Sequence, residues 1–157
     1  MPTRSIDQLL ATVPTFAGLP SDWLELVSGC GRNSGFEVGR YLAREGDPAD
    51  AFYLIRQGRV ALEIAAPGSG ALMIETLGEG AVLGWSWLFP PFKWSFDARA
   101  TEPVRAIAFD GACLRGKCDA DNSLGYELMR RFAAVMLDRL QATRLQLLDV
   151  YGGVAGE

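Results

Sequence analysis

The sequence predicts a mainly β domain, an antiparallel sandwich or barrel, with helices on either side of it. Three observations carry this. Between Asn33 and Asp110, short runs rich in Val, Ile, Phe and Tyr are separated by Gly or Pro. No helical period lies between those runs, which excludes a parallel α/β fold. Helical spacing is confined to the two ends, about residues 5–30 and 121–151. At 157 residues and 49% hydrophobic, the chain reads as a single domain over 1–157 with a core of its own.

In order, Ile6, Leu9, Leu10 and Val13 recur at helical spacing until Pro14 stops them. Ser21 can cap a second helix carrying Leu24 and Val27. Strands are expected over Phe36–Val38, Tyr41–Arg44, Phe52–Arg56, Arg59–Ala65, Leu72–Leu77 and Val104–Phe109. Val60, Leu62 and Ile64 alternate with Ala61 and Glu63, giving that strand one buried face. A short helix is expected near Gly111–Gly116, then a long one from about Asp121 to Tyr151.

The long helix carries two apolar stripes. Leu124, Leu128, Phe132 and Val135 form one that can face the barrel. Met129, Ala133, Met136, Leu140, Thr143, Leu147 and Val150 are spaced alternately four and three apart, the a/d pattern of a coiled coil. Such a seam predicts a homodimer; the alternative is one broad amphipathic face covering the core.

Composition removes several chemistries. The net charge is −4, so the whole molecule lacks the electrostatic footprint of a nucleic-acid binder. There is no His, which removes Ser-His-Asp and Cys-His nucleophilic sites and His-ligated metal centres. Cys30 stands alone in a Gly-rich stretch, with Cys113 and Cys118 far along the chain. They are too few for a four-thiolate metal site and read as buried or incidental thiols in a reducing cytosol. No catalytic or metal site is expected. The most apolar window, Ala81–Phe92, is too short to span a bilayer and is broken by Pro90-Pro91, and no signal peptide precedes it. The expected location is the cytoplasm, with no membrane contact.

Two segments carry a family resemblance. Pro14-Thr-Phe-Ala-Gly-Leu19 resembles the leading segment of cyclic-nucleotide-binding domains in the catabolite-activator (Crp–Fnr) superfamily. Arg44-Glu-Gly-Asp-Pro-Ala-Asp-Ala-Phe-Tyr-Leu-Ile55, followed by Gly58-Arg-Val60, resembles that superfamily's most diagnostic stretch. The resemblance runs from about residue 5 to 150. It implies a jelly-roll-like β-roll over 33–110 and a dimerisation helix over 121–151. It also implies a phosphate-binding cassette, in which a Glu accepts from the ribose hydroxyl and an Arg pairs with the cyclic phosphate.

Here the cassette is Gly84-Trp-Ser-Trp-Leu-Phe-Pro-Pro-Phe-Lys-Trp-Ser-Phe96. The resemblance implies a ligand site built from Gly84, Trp85, Ser86, Lys93, Trp94 and Ser95, with Thr143 of the long helix at the place where a Thr reaches the purine. Trp85 holds the position of the ribose Glu. Aligning back from Ala98-Arg99-Ala100 puts Trp94 at the phosphate Arg, with Ser95 retained; one residue of slack brings Lys93 near that place instead. Arg99 lies a strand step deeper and is expected to face outward. Arg144 stands where a small polar residue would help reach the base across the dimer. A Trp cannot hold a phosphate, and a Lys is only a point charge. Either the pocket takes a flatter, less anionic ligand, with Trp85 and Trp94 as stacking walls, or the indoles fill it.

The expected function is therefore a dimeric regulatory domain of cyclic-nucleotide-binding type, not an enzyme, with weak or no binding of cyclic AMP. No cofactor is certain; a cyclic-nucleotide-like or other small ligand is possible. The alternative is a ligand-free dimeric scaffold that binds a protein partner. Six residues follow Tyr151, so no DNA-binding module and no direct DNA contact are expected from this chain.

Overall fold

The structure, a computed structural model, describes residues 5–68 and 70–155, leaving aside the side chains of 66, 146, 147 and 149–155. Helices α1 (Ile6–Leu10) and α2 (Ser21–Ser28) lead into eight strands, and α3 (Gly111–Ala120) and α4 (Asn122–Ala155) follow them. The strands are β1 (Gly31–Phe36), β2 (Tyr41–Ala43), β3 (Ala51–Gln57), β4 (Val60–Ala66), β5 (Gly70–Leu77), β6 (Val82–Leu83), β7 (Asp97–Ala100) and β8 (Val104–Asp110). They form two four-stranded sheets, ordered β1-β8-β3-β6 and β2-β7-β4-β5, with every pairing antiparallel. This is a β-roll with a long C-terminal helix.

Turn chemistry closes the β3–β4 hairpin. Gly58 has φ of +94°, and a Cβ there would lie 2.2 Å from the Pro103 carbonyl oxygen, so only glycine fits. Three expectations about elements are revised. Pro20, not Ser21, precedes the first turn of α2. β1 begins at Gly31, ahead of the apolar residues that mark it in sequence. β6 and β7 add two strands hidden by shortness and by the alternating polar residues of Asp97-Ala-Arg-Ala100.

The cysteine expectation is overturned: Cys30 and Cys113 are disulfide-bonded, with Cα atoms 5.8 Å apart. Their separation of 83 residues hides a pairing that the topology makes close. β1 runs antiparallel to β8 with Gly31 opposite Phe109, so the residue before β1 meets the first turn of α3. Asp110 caps that turn, accepting from the Cys113 backbone N–H at 2.9 Å. Cys118 is free, and burial pushes its thiol up, with Asp119 and Asp121 adding to the rise.

Two apolar clusters fill the molecule. The first lies between the β3–β8 sheet and the helices, around the stacked rings of Phe52 and Phe109 at 4.6 Å and of Phe52 and Trp87 at 5.0 Å. Leu124, Leu128 and Phe132 of α4 are fully buried against it and Val135 partly so, as the first stripe predicts. The second cluster lies inside the roll and includes Leu62, Leu83, Trp94 and Phe96. At about 1.5 Å per residue the 34-residue α4 is about 51 Å long, and its second half continues past the first cluster to lie along β5.

Candidate functional site

Between the second half of α4 and the roll is a cavity of about 530 Å³. Leu62 and Phe96, both buried, line it from the roll, and half-buried Trp85 and Ile74 wall it. From α4 it is lined by Met136, Leu137 and Leu140. These side chains meet here for a topological reason. Leu62 lies on β4, whose partner β5, carrying Ile74 and Glu75, is the sheet edge that α4 crosses.

Glu75 and Arg139 are the charged side chains on the lining, and they are paired. Arg139 Nη1 donates to Glu75 Oε1 at 3.3 Å, and its Nη2 donates to the Val82 carbonyl at 3.0 Å. Burial pulls the Arg139 guanidinium below its ordinary range, and the Glu75 carboxylate offsets that. Thr143 lies on the rim, its hydroxyl donating to the Arg139 carbonyl one turn back at 2.8 Å.

The tryptophans part company. Trp85 lies between the two apolar clusters with its ring at the cavity, tilted 59° to Phe96 at 5.8 Å. Trp94 turns into the roll, 6% exposed, stacked on Tyr53 at 6.5 Å and edge-on to Phe96 at 6.0 Å. Gly84 is what admits it: φ there is +108°, and a Cβ would lie 2.6 Å from the Trp94 ring. Trp87 is fully buried in the other cluster, its Nε1–H without an acceptor.

Of the residues that the resemblance puts at the ligand, Trp85 and Thr143 line the cavity, and Gly84 supports it through Trp94. Ser86 is half-buried in the 3-10 turn Ser86–Leu88, away from the lining. Lys93 and Ser95 are exposed on the loop before β7. Arg99 is engaged elsewhere, its guanidinium clamping Glu63 through two contacts of 3.1 Å. Phe96, Ile74, Glu75 and Arg139 were not expected. The pleat could have indicated Phe96, since Ala98 and Ala100 share its buried face. Among the described residues no group of three or more acidic or thiol side chains gathers as a metal site would need. None of the described helices is long and apolar enough to cross a membrane.

This roll with a cassette beside a long helix defines a class, and the comparisons agree. The family model of the cyclic nucleotide-binding domain matches residues 35–121. The chain belongs to that family. It is 25% identical over 145 residues to a CRP-like cAMP-activated global transcriptional regulator of Mycobacterium tuberculosis (strain ATCC 25618 / H37Rv), a match over 92% of this chain and 63% of the regulator. The chain thus spans under two thirds of that relative. A Geobacter metallireducens GS-15 protein described as cyclic nucleotide-binding superposes with a TM-score of 0.78 at 30% identity, over 88% of this chain and 99% of its own. Thermus thermophilus Catabolite Activator Protein gives 0.69 at 24% identity, over 88% of this chain and 63% of its own, a likeness of fold alone.

Proposed function

We propose that this chain is a homodimeric regulatory domain that senses a small ligand in the cavity under α4 and binds cyclic AMP weakly or not at all. The observation that carries the reading is Trp85: the residue that the resemblance puts at the ribose position has its ring on an open cavity of about 530 Å³. Small-molecule sites span roughly 300–1,000 Å³, so the space suits a ligand. A cyclic nucleotide fits it poorly. By the resemblance the phosphate arginine's position falls to Trp94, which is committed to the core, or to Lys93, which is exposed on the loop, and Arg139 is already paired. Losing each charge-assisted contact costs about 1.5–3 kcal/mol, so both together cost over a hundredfold in affinity.

The dimer follows from α4. Of the expected seam, Met129 is 41% and Leu140 59% exposed, and Leu137 and Leu148, outside that seam, add exposed apolar surface beside them that a second copy would cover; Ala133, Met136 and Thr143 of the seam line the cavity instead. The side chains of Leu147 and Val150, also of the expected seam, lie outside those described. The domain acts by binding, not by catalysis, and its compartment is the cytoplasm. There the Cys30–Cys113 bond would form only on oxidation, as cytosolic thiols are kept reduced. The scaffold reading keeps one supporting observation, the burial of Trp94 and Trp87, which removes two of the three cassette indoles from any ligand.

Native mass spectrometry of protein purified without added ligand tests both halves at once. The expected spectrum is a dimer carrying a small non-covalent adduct, or one that takes up such an adduct from cell extract. A bare dimer that never acquires one would leave the scaffold, and a monomer at micromolar concentration would end the homodimer.

A further inference from the structure

We infer that the cavity under α4 selects an uncharged, largely apolar molecule bearing an aromatic ring, and rejects anions. The inference rests on the ligand-sensing reading above and names the chemical class that this site takes.

Charge decides it. Every charged group on the lining is neutralised from within the chain: Arg139 by Glu75 and the Val82 carbonyl, Glu75 by Arg139. Among the described residues, an anion entering here would find no free cation on the lining, and it would face the Glu75 carboxylate at short range in a medium that screens poorly. The cations that could have answered it are elsewhere, Lys93 in solvent and Arg99 on the opposite face of its strand with Glu63. The Thr143 hydroxyl is turned back on its own helix, which leaves little polar recognition on the lining.

What remains is apolar and ring-shaped. Trp85 and Phe96, tilted 59° to each other at 5.8 Å, form a corner that offers an aromatic guest one face and one edge. Met136 closes on it from α4 with a flexible, polarisable thioether. Leu62 and Ile74 complete a lining whose desolvation favours apolar surface. A guest in this space touches α4 and β5 together, so it would bear on the helix whose exposed stripe is the proposed dimer surface.

The test uses two dyes with the same fused rings that differ by one charge. N-phenyl-1-naphthylamine is neutral, and 1-anilinonaphthalene-8-sulfonate carries a sulfonate. Titrated into the wild-type chain, the neutral dye should bind saturably, one per chain, at least tenfold more tightly than the sulfonate, and cyclic AMP should not displace it. Ile74→Glu, on the edge strand, should weaken the neutral dye at least tenfold with the circular dichroism and native mass unchanged. Should that variant misfold, Trp85→Ala should weaken it likewise.

Five results would overturn the inference. If the sulfonate binds as tightly, or cyclic AMP displaces the neutral dye, the apolar class is wrong while ligand sensing stands. If the neutral dye binds only when the protein is diluted to monomer, the second copy fills the cavity. If folded Ile74→Glu or Trp85→Ala binds it unchanged, the dye sits on the α4 stripe instead. If neither dye nor cyclic AMP binds at any concentration, ligand sensing fails with it.

Discussion

At the scale of single residues, the cassette separates tryptophans that look alike in sequence. Trp94 is wedged against Gly84, Tyr53 and Phe96, so Trp94→Ala should cost about 3–5 kcal/mol, the usual cost of emptying a large aromatic site. Trp94→Arg should be worse, because it buries an unpaired cation. Trp85→Ala, with its half-exposed ring on the cavity, should cost well under that. Equilibrium urea unfolding of the three variants checks the order, and equal losses at both positions would contradict it. The cysteines offer a second check. Oxidised protein in denaturant should titrate one thiol and reduced protein three. In the folded state Cys118 should alkylate more slowly at pH 8 than a free cysteine, because a raised pKa leaves less thiolate there. Three thiols after treatment with oxidant would refute the bond. None of this could be read by inspection. Trp85 and Trp94 have the same residue type and neighbouring positions, and what distinguishes them is the pleat and one glycine.

At the scale of elements, α4 is two helices in function. Its first half is anchored by Leu124, Leu128 and Phe132, and its second half is fastened by Arg139, which reaches both β5 and β6. Arg139→Ala leaves Glu75 and the Val82 carbonyl without their donor, and it should cost about 1–3 kcal/mol. Amide hydrogen exchange should show the loss beyond residue 139 and not before it; uniform loosening would show that Arg139 has no such local role. Leu140→Lys should split a dimer that closes on the exposed stripe, read by sedimentation velocity at micromolar protein; an unchanged dimer would place the interface elsewhere. The anchoring stripe is legible in sequence because its spacing of four, four and three survives folding unchanged. β1 is not, since Gly-Arg-Asn-Ser-Gly has no apolar alternation, and an edge strand paired on one side needs little. The Arg139–Glu75 tie is a long-range contact between an inward helix position and the one acidic residue in Ala71-Leu-Met-Ile-Glu75, and nothing local announces it.

At the scale of the whole molecule, the roll, the helix order and the family are carried by turn glycines and buried alternation, which tolerate wide change elsewhere. The proposed ligand site is not, because its cavity is assembled from four separate stretches, β4, β5, the cassette and α4, and its character depends on which of their side chains neutralise one another. On the proposed reading, that is how a chain can keep the family's fold while its cavity offers no free charge to a cyclic phosphate. The consequence is measurable on the wild-type protein. Isothermal titration calorimetry with cyclic AMP, and with cyclic GMP, should give dissociation constants above roughly 100 µM, as two missing charge-assisted contacts require. Sub-micromolar binding of either nucleotide would contradict the account at its centre: Lys93 would then have to turn in from solvent, or Arg139 abandon Glu75, to hold a phosphate.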